Sequence, residues 1–162
     1  MANAKMHRPK IGDVIEFIVQ DYPMYGQFTH KHIRPPRYGH FLRLFSGRHA
    51  VRPKNLEDCI AGVPVFSCFF PLSVAINCGM VSAMGNTPIA PPLRQFPVFR
   101  CGVNDPKTNK VEIWWLWDGE REWRVGELTA EQEQFPVRGI WNDTLLIERL
   151  PSGWTPNRDS LS

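Results

Sequence analysis

The chain has 162 residues, of which 43% are hydrophobic and 22% are charged. This composition predicts one globular domain with a core large enough to need no crosslinks, and it excludes intrinsic disorder. The formal net charge of +3 is too small to indicate nucleic acid as a partner, and the longest apolar run, Val63–Ile76, is broken by two prolines, so we expect no membrane partner.

The first ten residues are polar and basic and lack the apolar stretch of a secretory signal, so we expect a cytoplasmic protein. The chain has four cysteines, none of them in a C-x-x-C pair. In a cytoplasmic chain with an adequate core, such cysteines are predicted to be free thiols that act as small apolar residues. They are Cys59, Cys68, Cys78 and Cys101.

The first half of the chain predicts three strands and one helix. Apolar and polar residues alternate in Gly12–Val19, and the turn residues that follow it predict a hairpin with Tyr25–His32. A third strand is predicted at His40–Phe45. Asn55–Ala61 has apolar residues on one helical face, with Gly62 at a favourable C-terminal position, so a short helix is expected there.

The second half predicts further strands. Val63–Phe70 is apolar on both faces, which is typical of a strand in the middle of a sheet. The turn residues at 104–109 predict a hairpin of Val98–Cys101 with Val111–Trp117, and Asp118-Gly119 predicts a return strand at Glu122–Val125. Thr129 and Gln132 form a capping-box pattern that predicts a second short helix, and Thr144–Leu150 is predicted as the last strand.

These elements predict a mainly β (α+β) fold, which is a curved, largely antiparallel sheet or a partly closed barrel with two short helices. Residues 1–162 are expected to form a single domain, with a core at about 10–151 and polar tails at 1–9 and 152–162, the latter loose. Exposed strand edges allow a homodimer as well as a monomer.

The motifs of common enzyme classes are not found in the sequence. There is no G-x-S-x-G nucleophile, no phosphate-binding glycine loop and no cysteine in a basic setting, so we expect neither an enzyme nor a cofactor. His30 and His32 are two residues apart on a predicted strand and share a face, as zinc ligands can. No spacing links them to a third ligand, so we expect no metal and keep a metalloenzyme or hydrolase as a third hypothesis.

Charge separates along the chain into two candidate partner-binding surfaces. The segment 30–54 holds seven Lys or Arg and no acidic residue, and 118–133 holds six Asp or Glu. Tryptophans lie near the acidic segment and are predicted either to fill the core or to anchor an interface. The candidate binding residues are Asp118, Glu120, Glu122 and Trp123 in the acidic segment, and Arg34, Arg37 and Tyr38 in the basic one.

Several motifs resemble those of the immunity protein 26 family of bacterial polymorphic toxin systems. They are Lys10-Ile11-Gly12-Asp13-Val14, Tyr25-Gly26, Phe69-Phe70, the segment 79–88 with Gly85, Pro91-Pro92, Phe96-Pro97-Val98-Phe99-Arg100, Trp141 and Glu148-Arg149-Leu150. The resemblance implies a protein that binds a cognate toxin domain and blocks it without any catalytic group.

The leading hypothesis is therefore an immunity protein that neutralises a toxin domain by occlusion. The alternative is a β-barrel nucleic-acid-binding module that uses basic and aromatic side chains of the segment 34–43. Its residues are Arg34, Arg37, Tyr38, Phe41 and Arg43.

Overall fold

The computed structural model describes residues 6–47 and 49–158. Strands dominate the described chain, and its α-helices are short. In chain order the elements are β1 (Asp13–Val19), β2 (Tyr22–His32), β3 (Gly39–Phe45), α1 (Leu56–Cys59), β4 (Pro64–Phe70), α2 (Leu72–Asn77), β5 (Ser82–Asn86), β6 (Phe99–Asn104), β7 (Val111–Trp117), β8 (Glu122–Gly126) and α3 (Asp143–Arg149).

The strands form two antiparallel sheets. The first sheet has five strands in the order β4-β3-β2-β1-β5, and the second has three in the order β6-β7-β8. The prediction of a mainly β, largely antiparallel fold is confirmed. No helix of the described ranges is both long and apolar enough to cross a membrane.

The hairpin of β1 and β2 sets the register of the first sheet. Val19 pairs with Tyr22, and both residues between them, Gln20 and Asp21, have positive φ angles of 51° and 67°. Positive φ at both central positions is the geometry of a type I′ turn, whose twist matches that of the two strands. The predicted hairpin is confirmed, with its turn one residue earlier than Asp21-Tyr22-Pro23.

Each face of the first sheet is covered by different elements. One face forms the main core with α2 and α3, which contribute Leu72, Ala75 and Leu146. The opposite face packs against the second sheet at one end and against α1 at the other. The apolar residues on both faces of several strands are thereby buried, as the sequence required.

The connection that carries α1 is fixed to the sheet by a buried polar group. Glu16 is buried on β1 and accepts two hydrogen bonds from the Arg52 guanidinium, both 2.8 Å long. The hydroxyl of Tyr25 donates a third at 3.0 Å. Because buried carboxylates need partners, Arg52 both neutralises Glu16 and attaches this connection to the first sheet.

The position predicted for β4 is wrong: it lies at the end of the first sheet and not in its middle. Its outer edge is covered by the segment 136–141, where the amide of Trp141 donates to the carbonyl of Phe69 at 2.9 Å. The same segment pairs with β6, because the amide of Arg100 donates to Pro136 and that of Arg138 donates to Arg100, both at 2.9 Å. Strand β4 is therefore apolar on both faces because both faces are packed against other elements, and its outer edge is covered as well.

The predicted strand Thr144–Leu150 is also wrong, because these residues form most of α3. The side chain of Asn142 accepts a hydrogen bond from the amide of Leu145 at 2.8 Å and so caps the helix. Leu146 and Leu150 are four residues apart and both are buried, as on one face of a helix. Helix α2 and strand β5 are elements that were not predicted.

The two predicted short helices are present in reduced form. Helix α1 spans four residues of the predicted Asn55–Ala61. The capping box forms as expected, since the amides of Thr129 and Gln132 each donate to the other side chain, at 3.0 and 3.2 Å. It opens only a single 3-10 turn, Gln132–Gln134. The four cysteines are free as predicted, with Cys78 exposed and the other three buried.

The described part of the C-terminal tail contacts the core, although a loose tail was expected from Ser152. The ring of Trp154 lies 5.2 Å from Trp141 and 5.4 Å from Phe66, and the guanidinium of Arg149 lies 4.1 Å above it. Residues 159–162 lie outside the described residues, as do residues 1–5 of the N-terminal tail.

These contacts predict that Trp154 stabilises the fold. Trp154→Ala should lower the free energy of unfolding by about 2–3 kcal/mol, because it removes a large ring packed on two other aromatic rings. The matched control is Trp123→Ala, which truncates an exposed tryptophan and should cost less than about 1 kcal/mol. Urea unfolding followed by circular dichroism measures both, and equal costs would contradict a packed tail.

Candidate functional site

An aromatic cluster between the two sheets positions the candidate site. The rings of Phe69 and Phe99 stack with centroids 5.1 Å apart and an angle of 9° between their planes. The aromatic cluster consists of Phe41, Phe69, Phe99 and Trp117, with Tyr38 and Phe96 packed against it. Because Phe41 and Phe69 belong to the first sheet and Phe99 and Trp117 to the second, the cluster fixes one sheet against the other.

This packing brings the two predicted charged surfaces together. Nη1 of Arg34, which follows β2, lies 3.0 Å from Oε1 of Glu120 in the β7–β8 turn, and both side chains are exposed. One part of the basic segment, at Arg34, therefore meets the acidic segment at Glu120, where separate surfaces were predicted. A cavity of about 290 Å³ lies between them, lined by Lys31, His32, Ile33, Arg34, Phe96, Asp118, Gly119 and Glu120; we call these eight residues the charged surface.

Asp118 shapes the β7–β8 turn at this surface. Its Oδ1 accepts hydrogen bonds from the amides of Arg121 and Glu120, at 2.8 and 2.9 Å. These bonds favour the ionised carboxyl and lower the pKa of Asp118. Gly119 has φ of 98°, and a Cβ atom there would lie 2.8 Å from the ring of Phe96. The turn therefore needs both residues for its own geometry.

The other acidic candidate is also paired within the chain. Nη1 of Arg138 lies 2.6 Å from Oε2 of Glu122, and its guanidinium lies 5.5 Å from the ring centre of Trp117. Trp123 is 40% exposed and lines a separate cavity of about 510 Å³ with Asp118, Arg121 and Glu122. Two of the three acidic candidates, Glu120 and Glu122, are thus ion-paired within the chain.

The basic candidates differ in how available they are. Arg37 is exposed, but Tyr38 is half-buried and stacks on Phe69 with ring centres 5.1 Å apart. Of the other residues in the nucleic-acid hypothesis, Phe41 is fully buried and Arg43 is half-buried. Phe41 therefore cannot offer its ring to a nucleobase, which removes a central element of that hypothesis.

His30 and His32 lie on the same side of the sheet, as predicted, and both contact the ring of Phe96. Nε2 of His30 donates to the carbonyl of Arg94 at 2.8 Å, so Nδ1 is left to accept from the hydroxyl of Thr29 at 2.9 Å. Nε2 of His32 donates to the carbonyl of Gly119 at 3.1 Å. In the described ranges no group of three or more His, Cys, Asp or Glu side chains can hold a metal ion.

An exposed apolar patch on the second sheet was not predicted. The face that enters the aromatic cluster at Phe99 and Trp117 continues along the β6–β7 hairpin and becomes exposed at Val103, Ile113 and Trp115, which we call the apolar patch. Val103 is 88% exposed and Trp115 37%. The patch borders a cavity of about 670 Å³ that is also lined by Asn104, Asp105, Pro106, Glu112 and Arg124.

The alternation of Ile113, Trp115 and Trp117 already places these three side chains on one face of β7. It does not tell where the covering sheet ends, because that depends on how the two sheets pack. The exposed end of the face could therefore be found only in the folded structure.

Comparison with known proteins gives no match: no protein-family model, no curated protein and no solved structure matches this chain. The resemblance to the immunity protein 26 family stays a prediction.

The half-buried His30 and His40 predict a pH-dependent stability. Burial lowers the pKa of His30, and burial together with the charge of Lys31 lowers the pKa of His40. Each depressed pKa favours the neutral folded form, so its stabilising effect is complete above the unfolded value of about 6.5 and is lost as pH falls through the folded value. The urea midpoint should therefore decrease between pH 7.5 and 5.5.

His30→Gln should make this decrease smaller, because glutamine does not titrate but its amide can still donate to the carbonyl of Arg94. At pH 7.5 the variant should unfold at nearly the same urea concentration as the original protein. An unchanged pH dependence in the variant would show that His30 is not one of the titrating groups.

Proposed function

We propose that the protein binds a cognate bacterial toxin domain and blocks it by occlusion, with the apolar patch at the centre of the interface. The observation that supports this proposal is the apolar patch itself. Three apolar side chains, including a tryptophan, are exposed together beside a cavity on the β6–β7 hairpin. Exposed apolar clusters with a polar border are typical of protein-binding surfaces, and tryptophan is the residue type that most often anchors them.

The charges around the patch favour a protein over a nucleic acid as the partner. Glu112 and Asp105 border the cavity together with Arg124, so both signs of charge are present. A phosphate backbone would be repelled by the carboxylates, whereas a protein surface can present charges of both signs. The burial of Phe41 argues in the same direction.

The charged surface would then act at the border of the interface. Arg34 and Glu120 already neutralise each other and are exposed, so their direct contribution to affinity is small. Border charges act mainly on the association rate and on the orientation of the two proteins. The resemblance to immunity proteins supports the choice of a toxin domain as the partner, and occlusion requires no chemical group of this chain.

The central prediction concerns Trp115. Trp115→Ala should weaken binding to the toxin domain by about 2 kcal/mol or more, roughly 30-fold in Kd, because it removes the large anchor of the patch. A toxin domain encoded beside the gene is the partner to test, and isothermal titration calorimetry measures the affinity. Co-expression with that toxin domain should protect cells, and Trp115→Ala should reduce the protection.

A matched pair of valines gives the control. Val103→Lys places a charge in the patch, whereas Val74→Lys places the same charge on α2, where the valine is 68% exposed. Only Val103→Lys should weaken binding. If both variants bind like the original protein, or if no neighbouring toxin domain binds at all, the proposal is wrong.

The acidic turn gives a separate prediction. Reversal of charge at Glu120 and Glu122 to lysine should slow association with a basic toxin surface at low salt and make it less salt-dependent, with less than about tenfold change in Kd. Glu148→Lys on α3 is the control, since it reverses an exposed acidic residue of another face. Stopped-flow mixing at two salt concentrations measures the rates, and rates equal to those of the control would exclude the turn from the interface.

A further inference from the structure

Arg43 is a poorly paired cation on the face of the first sheet opposite α2 and α3. Its guanidinium lies 5.0 Å from the ring centre of Phe41, and Nη2 donates to the carbonyl of Gln95 at 3.2 Å. Nε is buried and has no hydrogen-bond partner. Within the described part of the chain, Arg43 forms no ion pair with a carboxylate.

Arg43 lines two cavities, which also share Gln134 and Pro136 as lining residues. They measure about 390 and 300 Å³. The apolar lining residues include Phe96 and Phe135 in the first cavity and Val65 and Leu93 in the second. Among the described residues that line either cavity, Arg43 is the only charged one, and most of the others are apolar.

This environment is unfavourable for an isolated positive charge. Burial lowers the pKa of Arg43 to about 10, so the guanidinium remains protonated at neutral pH. The residue directly across the strand pair is Gln27, whose amide nitrogen already donates to the carbonyls of Gly12 and Thr87. Gln27 is neutral and cannot balance the charge. A partly desolvated cation without a counter-ion is stabilised by any anion that reaches it.

We propose that Arg43 anchors a binding site for a carboxylate that carries one negative charge and an apolar body. The planar guanidinium matches a carboxylate, and one charge balances one charge. A phosphate would leave net negative charge among apolar walls, because the described lining of the two cavities holds no second cation. The apolar walls suit the body of the ligand. This site is separate from the apolar patch and does not rest on the toxin-binding proposal.

The source of the carboxylate can be a free small molecule or an acidic side chain of another protein, and two probes distinguish them. Benzoate represents the free molecule, and N-acetylglutamate N-methylamide represents the side chain. Nuclear magnetic resonance of the ¹⁵N-labelled full chain follows the Arg43 Nε–H and the Gln134 amide during titration. A saturable shift with either probe supports the site and identifies its source.

Benzamide, the neutral analogue of benzoate, and inorganic phosphate serve as control ligands and should give no saturable shift. A shift with benzamide equal to that with benzoate would overturn the proposal, because the charge would then play no part. The absence of a saturable shift with both carboxylate probes would also overturn it.

Two variants test the role of the guanidinium. Arg43→Met should reduce the affinity for the bound probe by at least about tenfold, while Arg37→Met, at an exposed arginine, should not change it. Because Arg43→Met can also disturb the fold, Gln134→Glu provides a second test that leaves Arg43 in place. The new carboxylate lines the same cavities and should compete with the probe, so affinity should again fall. Unchanged affinity in Gln134→Glu and in a folded Arg43→Met would overturn the proposal.

Discussion

The stacking of Phe69 on Phe99 is the contact on which the arrangement of this molecule depends. Each sheet is small, and neither buries its apolar residues without a cover. The aromatic cluster joins them over a short distance and leaves the rest of the second sheet projecting beyond the first. Two surface features follow directly: Arg34 is carried to within 3.0 Å of Glu120, and the face of β6 and β7 beyond Cys101 remains uncovered.

The segment 136–141 secures the same arrangement through the backbone. It pairs with β6 through Arg100 and with β4 through Phe69, so it connects one edge of each sheet. Covered edges cannot pair with strands of other molecules. The edge strand β8 carries charged residues, among them Glu122 and Arg124, which also disfavour edge-to-edge association. In the described part of the chain, the edge strand of the first sheet, β5, has neither feature.

Local signals were sufficient for much of the fold. Alternating residues identified β1, turn residues identified the β6–β7 hairpin, and Thr129 with Gln132 formed the expected capping box. The run Leu145-Leu146-Ile147 fits a strand or a helix equally well, and only the cap at Asn142 decides for α3. The edge position of β4, the union of the two charged segments and the exposure of Trp115 depend on contacts between residues far apart in sequence, which periodicity does not report.

Most of the polar side chains that the sequence offers as candidate site residues are hydrogen-bonded or ion-paired within the chain. His30 donates a hydrogen bond to the carbonyl of Arg94, and Asp118 accepts one from a backbone amide of its own turn. Glu122 forms an ion pair with Arg138. Such a side chain must break these bonds before it can bind a partner, and the free energy needed to break them reduces the free energy gained on binding. The apolar side chains of Val103 and Ile113 in the apolar patch have no polar atoms and so no such bonds to break. Contact with another surface would remove them from water without breaking a hydrogen bond, so association at this patch is favoured over association at the charged residues.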